Sequence, residues 1–100
     1  MTYTVGELVV CPSKHLVEVG GKPVSLSLKE FELLSALGAY PGKTMLRDRL
    51  IEEVWGYDFE GNERTLDVHI NRLRERFPQE KYGFKITTIR GLGYRLEVTP

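Results

Sequence analysis

A stripe of apolar residues at helical spacing, ended by a proline, constrains this chain more than any other feature. In the stretch from Asn62 to Phe77, NERTLDVHINRLRERF, a rotation of about 100° per residue brings Leu66, Ile70, Leu73 and Phe77 to one side. That is the i, i+4, i+7, i+11 pattern of a helix laid on a core. Arg64, Val68, Asn71, Arg72 and Glu75 fall on the opposite face, with Asp67, His69, Arg74 and Arg76 on the flanks. Asn62 is the expected N-cap, and Glu63 lies in the first turn, where the helix dipole favours an anion. Arg74 and Arg76 lie near the end that favours cations, and Pro78 stops the helix.

The outer face differs from an ordinary solvated one, which alternates Glu and Lys at i, i+4 spacing. Asn71 and Arg72 offer carboxamide and guanidinium forks that match adenine and guanine edges, and Val68 can meet a thymine methyl. At about 1.5 Å per residue the helix is roughly 22 Å long, enough to lie across a major groove about 12 Å wide. An Arg-rich helix that merely faces solvent is the competing reading of the same residues.

The rest of the chain supplies a frame. Tyr3 to Val5, Leu8 to Cys11, Leu16 to Val19 and Lys22 to Leu26 read as short strands of a small antiparallel sheet. Gly20-Gly21 suits a tight hairpin turn, and Pro12-Ser13 marks another reversal. Ser27-Leu28-Lys29-Glu30 is a capping box opening a helix. Its apolar stripe is Leu28, Phe31, Leu34 and Leu37 with Leu33 beside it, and it ends near Gly38. A second helix is expected from Leu46 to Trp55, with Leu46, Leu50, Ile51 and Val54 on its apolar side. Its Arg47 and Arg49 can reach a phosphate or pair with Asp48, Glu52 and Glu53, and local pairing is expected for Arg49. Gln79 to Gly83 read as a polar connection before two strands, Phe84 to Ile89 and Tyr94 to Val98. The turn between them, Arg90-Gly91-Leu92-Gly93, has glycines that tolerate unusual backbone angles. Helix followed by a basic-tipped hairpin is the geometry of a winged helix, and a narrow minor groove attracts arginine.

Charge and cysteine usage narrow the functional classes. Net charge is zero, yet Asn62 to Arg95 carries eight Lys and Arg against four acids, about +4, leaving about −4 on the remainder. A basic carboxy-terminal third on an acidic body suits a one-sided polar binding surface. Cys11 is the lone cysteine, so an internal disulfide or cysteine-built zinc site is excluded, and a reducing cytoplasm is the expected location. No apolar run approaches 18 residues and no signal-peptide pattern occurs, so neither membrane nor export is expected. Catalysis is not expected either. Asp67 and His69, two apart on a helix, point about 200° apart, no nucleophile follows them, and two histidines make no metal cluster. No metal and no cofactor are therefore anticipated.

The chain resembles the effector domain of OmpR/PhoB-type bacterial response regulators, from about residue 6 to residue 98. The most specific stretches are Arg64-Thr65-Leu66-Asp67-Val68-His69-Ile70 with Leu73-Arg74, and Thr88-Ile89-Arg90-Gly91-Leu92-Gly93-Tyr94. Lys29 to Leu34 and Val54 to Tyr57 add support. The resemblance implies an α+β winged helix-turn-helix over residues 1–100. Its parts would be a four-stranded antiparallel amino-terminal sheet over 1–26, three helices over 27–77, and a carboxy-terminal β-hairpin wing over 84–98. It also implies binding to promoter DNA, usually as two copies head to tail on direct repeats, and a receiver domain, so that this sequence is either an excised domain, the favoured reading, or an unusually short regulator.

Position by position, Arg64 resembles a phosphate anchor, and His69 and Arg74 resemble phosphate or groove-edge contacts. Asp67, Val68, Asn71 and Arg72 stand where family members face bases. Arg90 stands at the wing arginine of the minor groove, Thr88 at a phosphate contact and Tyr94 at a wing-packing position. By the same analogy the acidic and aromatic loop of Tyr57, Asp58, Phe59 and Glu60 touches RNA polymerase. Three departures stand out. Leu46 replaces the usual serine cap of the second helix, so that cap moves to Thr44 or is lost. Asn71 replaces a frequent arginine and Glu75 a common lysine, softening the basic face. A winged helix used only to dock another protein is the alternative, and its mark would be an apolar or acidic outer face.

Overall fold

The computed structural model describes residues 1–57, 59, 61 and 63–100, with Glu80 described by its backbone. The expected cap Asn62 and the loop acids Asp58 and Glu60 lie outside the described residues. Strands β1 (Tyr3–Val5), β2 (Leu8–Cys11), β3 (Leu16–Val19) and β4 (Lys22–Pro23) pair antiparallel in chain order. Alternation along a strand puts every second residue on one face, so Val5, Leu8, Val10, Val17 and Val19 are all buried. Gly20 and Gly21 both take positive φ, 59° and 79°, the backbone that a two-residue hairpin turn requires. β4 is shorter than its Val- and Leu-rich run and ends at Pro23, although the Val24 N–H still donates to Val17 O at 2.8 Å.

The capping box closes as the sequence predicts. Ser27 Oγ accepts from the Glu30 N–H at 3.2 Å, and Glu30 Oε1 accepts from the Ser27 N–H at 3.1 Å. Helix α1 (Leu28–Gly38) then buries Phe31, Leu33, Leu34 and Leu37. Leu28 departs from expectation and is 58% exposed. Periodicity assigns a residue to a face, but it does not say how far the core extends along that face.

The second half holds α2 (Arg47–Trp55), α3 (Arg64–Arg76) and a hairpin of β6 (Phe84–Ile89) and β7 (Gly93–Val98). Two elements arise where none was expected. Gln79–Tyr82 forms a single helical turn, α4, which Gly83 ends with a left-handed φ of 75°. Met45–Leu46 forms a two-residue strand, β5, giving a second sheet of order β5-β7-β6. Because Leu46 belongs to this strand it is 54% exposed and leaves the apolar side of α2 to Leu50, Val54 and Ile51. No side chain caps α2, so the cap is lost and Thr44 does not replace it. The Arg47 N–H donates instead to Leu92 O in the wing turn, at 3.1 Å.

Leu66, Ile70 and Leu73 are fully buried, and Phe77, Phe84, Ile86, Tyr94 and Leu96 join them with Leu50 and Val54 in a core shared with the first sheet. Backbone bonds also tie the turn after β1 to α4 and close the root of the hairpin. Glu7 N–H donates to Tyr82 O at 3.0 Å, and Thr99 N–H donates to Gly83 O at 3.0 Å. Gly6, at φ +60°, lies so near Gly83 that an added Cβ would stand 2.4 Å from the Gly83 carbonyl oxygen.

Candidate nucleic-acid interface

Helix α3 is thirteen residues long, which at about 1.5 Å per residue is roughly 20 Å. With Leu66, Ile70 and Leu73 turned inward, Arg64, Val68, Asn71, Arg72 and Glu75 are left exposed. Val68 is 44% exposed.

The flanks of α3 are tied to its neighbours. Asp67 Oδ1 and Oδ2 accept from Arg47 Nη1 and Nη2 at 2.8 and 3.1 Å, a bidentate pair, and the Tyr94 hydroxyl also donates to Asp67 Oδ1. Arg47 thus turns away from the acids of its own helix, Asp48, Glu52 and Glu53, to join α2, α3 and the wing. Its Nη2 also donates to Glu63 O at 3.3 Å. Arg49 pairs locally with Glu53 at 3.0 Å, as expected. No local pattern announces the Arg47–Asp67–Tyr94 cluster, since its members lie 20 and 27 residues apart.

Arg74 makes a second tie. Its Nε and Nη2 donate to Ile86 O at 3.1 and 2.8 Å, Nη2 donates to Thr88 Oγ1 at 2.7 Å, and its guanidinium lies 5.5 Å from the Tyr94 ring centre. Arg74 and Thr88, both predicted at phosphates, are therefore engaged with each other. His69 Nδ1 meets Thr65 O at 2.7 Å and its ring meets the Trp55 edge at 5.1 Å. Arg76 Nη2 donates to Ser25 O at 2.6 Å, and Arg95 pairs with Glu97 at 3.2 Å. Arg72 and Arg90, by contrast, have no protein partner among the described residues. Tyr57 is 87% exposed, whereas Phe59 packs on Trp55 at 5.7 Å.

Arg47, and then the Tyr94 hydroxyl, hold the Asp67 carboxyl below the usual carboxylate range. Burial, reinforced by Asp67, raises the Tyr94 phenol. A depressed folded-state value means that Asp67 stabilises the fold above its unfolded value near 4, and that this contribution disappears as pH falls through the folded value. The pair is more than a third exposed on the Asp67 side, so solvent screening holds it to about 1 kcal/mol. Asp67→Asn is expected to be less stable than the parent at pH 7, with the difference closing toward pH 3. Urea midpoints at the two pH values check this, and an unchanged gap would refute it.

Among the described residues no group of three or more His, Cys, Asp or Glu is placed to hold a metal ion, and no helix is long and apolar enough to cross a membrane. A family model described as "Transcriptional regulatory protein, C terminal" matches residues 21–96. The chain belongs to that family. It is an OmpR/PhoB-type C-terminal effector domain. This effector domain is 45% identical over 94 residues to the heme response regulator HssR of Staphylococcus aureus, a match covering 94% of this chain and 42% of that protein. The chain thus spans about two fifths of the length of the curated relatives it matches. Among solved structures, the DNA-binding domain of Escherichia coli CpxR superimposes with a TM-score of 0.86 at 31% identity, covering 100% of this chain and 99% of that one. The Klebsiella pneumoniae RstA DNA-binding domain, solved in complex with the RstA box, gives 0.81 at 33% identity over 96% of each chain. The four-stranded sheet, three main helices and terminal hairpin of the effector domain agree with those neighbours.

Proposed function

We propose that this domain binds promoter DNA sequence-specifically, with α3 in the major groove and the wing turn at Arg90 in the minor groove. The observation that carries this reading is the division among its arginines. Arg47, Arg49, Arg74, Arg76 and Arg95 are engaged within the protein. Arg72 and Arg90, without protein partners among the described residues, stand on the outer face of α3 and on the wing turn. The complex of the related RstA domain with its box supports the same use of the fold.

Asn71 and Arg72 read base edges in this proposal, Val68 meets a thymine methyl, and Arg64 and the wing hold phosphates. Asp67, Arg74 and Thr88 set the angle between helix and wing. His69 commits Nδ1 to Thr65, so a phosphate contact through Nε2 requires the protonated ring. The same reading extends to tandem copies on direct repeats, a receiver domain elsewhere in the full-length regulator, and an RNA polymerase contact centred on Tyr57.

Two substitutions test the division of roles. Arg72→Ala is expected to cost about 1–3 kcal/mol on the selected site and to relax preference at one base position. Arg64→Ala is expected to weaken all sequences alike and to flatten the salt slope by about one unit. Titration of both variants against selected and random duplexes at two salt concentrations is the measurement. Equal losses on both duplexes for both variants would overturn the assignment, and binding no tighter to any duplex than to random DNA would favour protein docking.

A further inference from the structure

A helix about 10–12 Å across with its side chains nearly fills a major groove about 12 Å wide. The outer face of α3 then meets base edges, and its two flanks stand against the phosphate walls. The flank of Asp67 and Arg74 is closed onto α2 and the wing. Thr65, His69, Arg72 and Arg76 form the other flank. There Arg76 is bonded to Ser25 O at 2.6 Å and Arg72 is the proposed base reader, which leaves His69 as the group able to bring positive charge to that wall. Its half-buried imidazole is held in place. Nδ1 lies 2.7 Å from Thr65 O, one turn back, and the ring meets Trp55 in a T-shaped arrangement at 5.1 Å. A carbonyl oxygen only accepts, so Nδ1 carries the hydrogen. In the neutral ring Nε2 is then a bare lone pair, which repels a phosphate oxygen, and only the imidazolium donates from both nitrogens.

We infer that binding of duplex DNA takes up one proton at His69, so that the grip on DNA of any sequence tightens as pH falls from about 8 to 6. The inference rests on α3 lying in the major groove and adds the proton as a regulator of that site. Several charged groups surround the ring. From α1 come the Glu30 carboxylate, near enough for its charge to act on His69, and Lys29, held on Val54 O at 2.7 Å. Glu30 is engaged with Ser27 in the capping box. From α2 comes the uncharged Trp55, and α3 itself contributes Arg72 and Arg76. Among the described residues none is bonded to Nε2. A phosphate placed there favours the charged ring, so the bound domain holds the proton more firmly than the free one. Affinity is then complete below the free-domain titration and is lost as pH rises through the value in the complex. Carboxylates and guanidinium groups stay charged over this range, so the other contacts remain constant.

The test is the affinity of the domain for a selected and a random duplex at the two ends of this pH range, each at two salt concentrations. The parent is expected to bind both duplexes roughly tenfold tighter at the acid end, an ordinary coupling between two ligands. Its salt slope should also be steeper there by about one unit, for one more neutralised phosphate. His69→Gln, which cannot titrate, should bind independently of pH. His15→Gln, at the ring stacked on Phe31, should keep the profile of the parent. A second measurement needs no substitution. The His69 Cε1–H resonance of the parent, followed by NMR at the alkaline end, should move to the imidazolium position when duplex is added. A parent affinity that does not change with pH, a pH dependence retained by His69→Gln, or a ring that stays neutral in the complex would each overturn the inference while leaving DNA recognition intact. Failure of the parent to bind either duplex at either pH would overturn the groove assignment and this inference with it.

Discussion

Gly93→Ala is expected to lower the free energy of unfolding by about 3 kcal/mol, at the upper end of ordinary overpacking, and the melting temperature by roughly 15 °C. Gly93 is the point where the wing lies against the strand leading into α2. A Cβ there would stand 2.0 Å from the Met45 carbonyl oxygen and 3.0 Å from Leu46 Cα. Both are backbone atoms, so no side chain can rotate away, and β5 must part from β7. Gly91, two residues earlier, supplies the control. It has a left-handed φ of +76° but nothing within 4 Å of an added Cβ, so alanine costs only about 1–2 kcal/mol there. Thermal unfolding of the two variants followed by circular dichroism makes the comparison, and equal losses would mean that β5 yields freely. Gly93→Ala should also weaken DNA binding at temperatures where it remains folded, because the Arg47–Leu92 backbone bond spans the same junction.

Ile70→Ala is expected to cost about 3–4 kcal/mol, as for other fully buried branched side chains. Ile70 has no exposed surface and packs in the middle of the buried face of α3. Val68→Ala, two residues away on the outer face, should change stability by less than about 0.5 kcal/mol. Urea unfolding of both variants decides the matter. A Val68 cost matching that of Ile70 would put residue 68 in the core and remove a member of the proposed DNA surface. Taken with the Arg72 substitution, which acts on binding alone, the pair separates what builds the helix from what the helix offers.

Local chemistry was the part of this fold that could be read from the chain. The Ser27–Glu30 box, the Gly20-Gly21 turn and the Leu66, Ile70, Leu73 stripe each involve residues within a few positions of one another, and each appears as expected. What escaped was set by partners far along the chain. Met45–Leu46 is extended only because β7 lies beside it, and no two-residue strand carries a periodicity of its own. Leu28 and Leu46 obey the helical pattern yet project into solvent. In sequence Gly93 looks like a residue for unusual backbone angles, whereas its requirement is space. The outward residues of α3 were legible from rotation alone. The engagement of Asp67 with Arg47 and of Arg74 with Thr88 required the fold, since these charges look the same in sequence whether they face DNA or each other.

The wing departs from the ordinary behaviour of an exposed hairpin. β5 adds a third strand at its edge, the Leu92 carbonyl receives the first N–H of α2, and its root is bonded at Gly83 to Thr99 and at Tyr82 to Glu7. A finger clamped in this way has little conformational entropy left to lose when a second molecule closes on it. Association should then proceed close to rigid-body docking, with a heat-capacity change that reflects buried surface rather than induced folding.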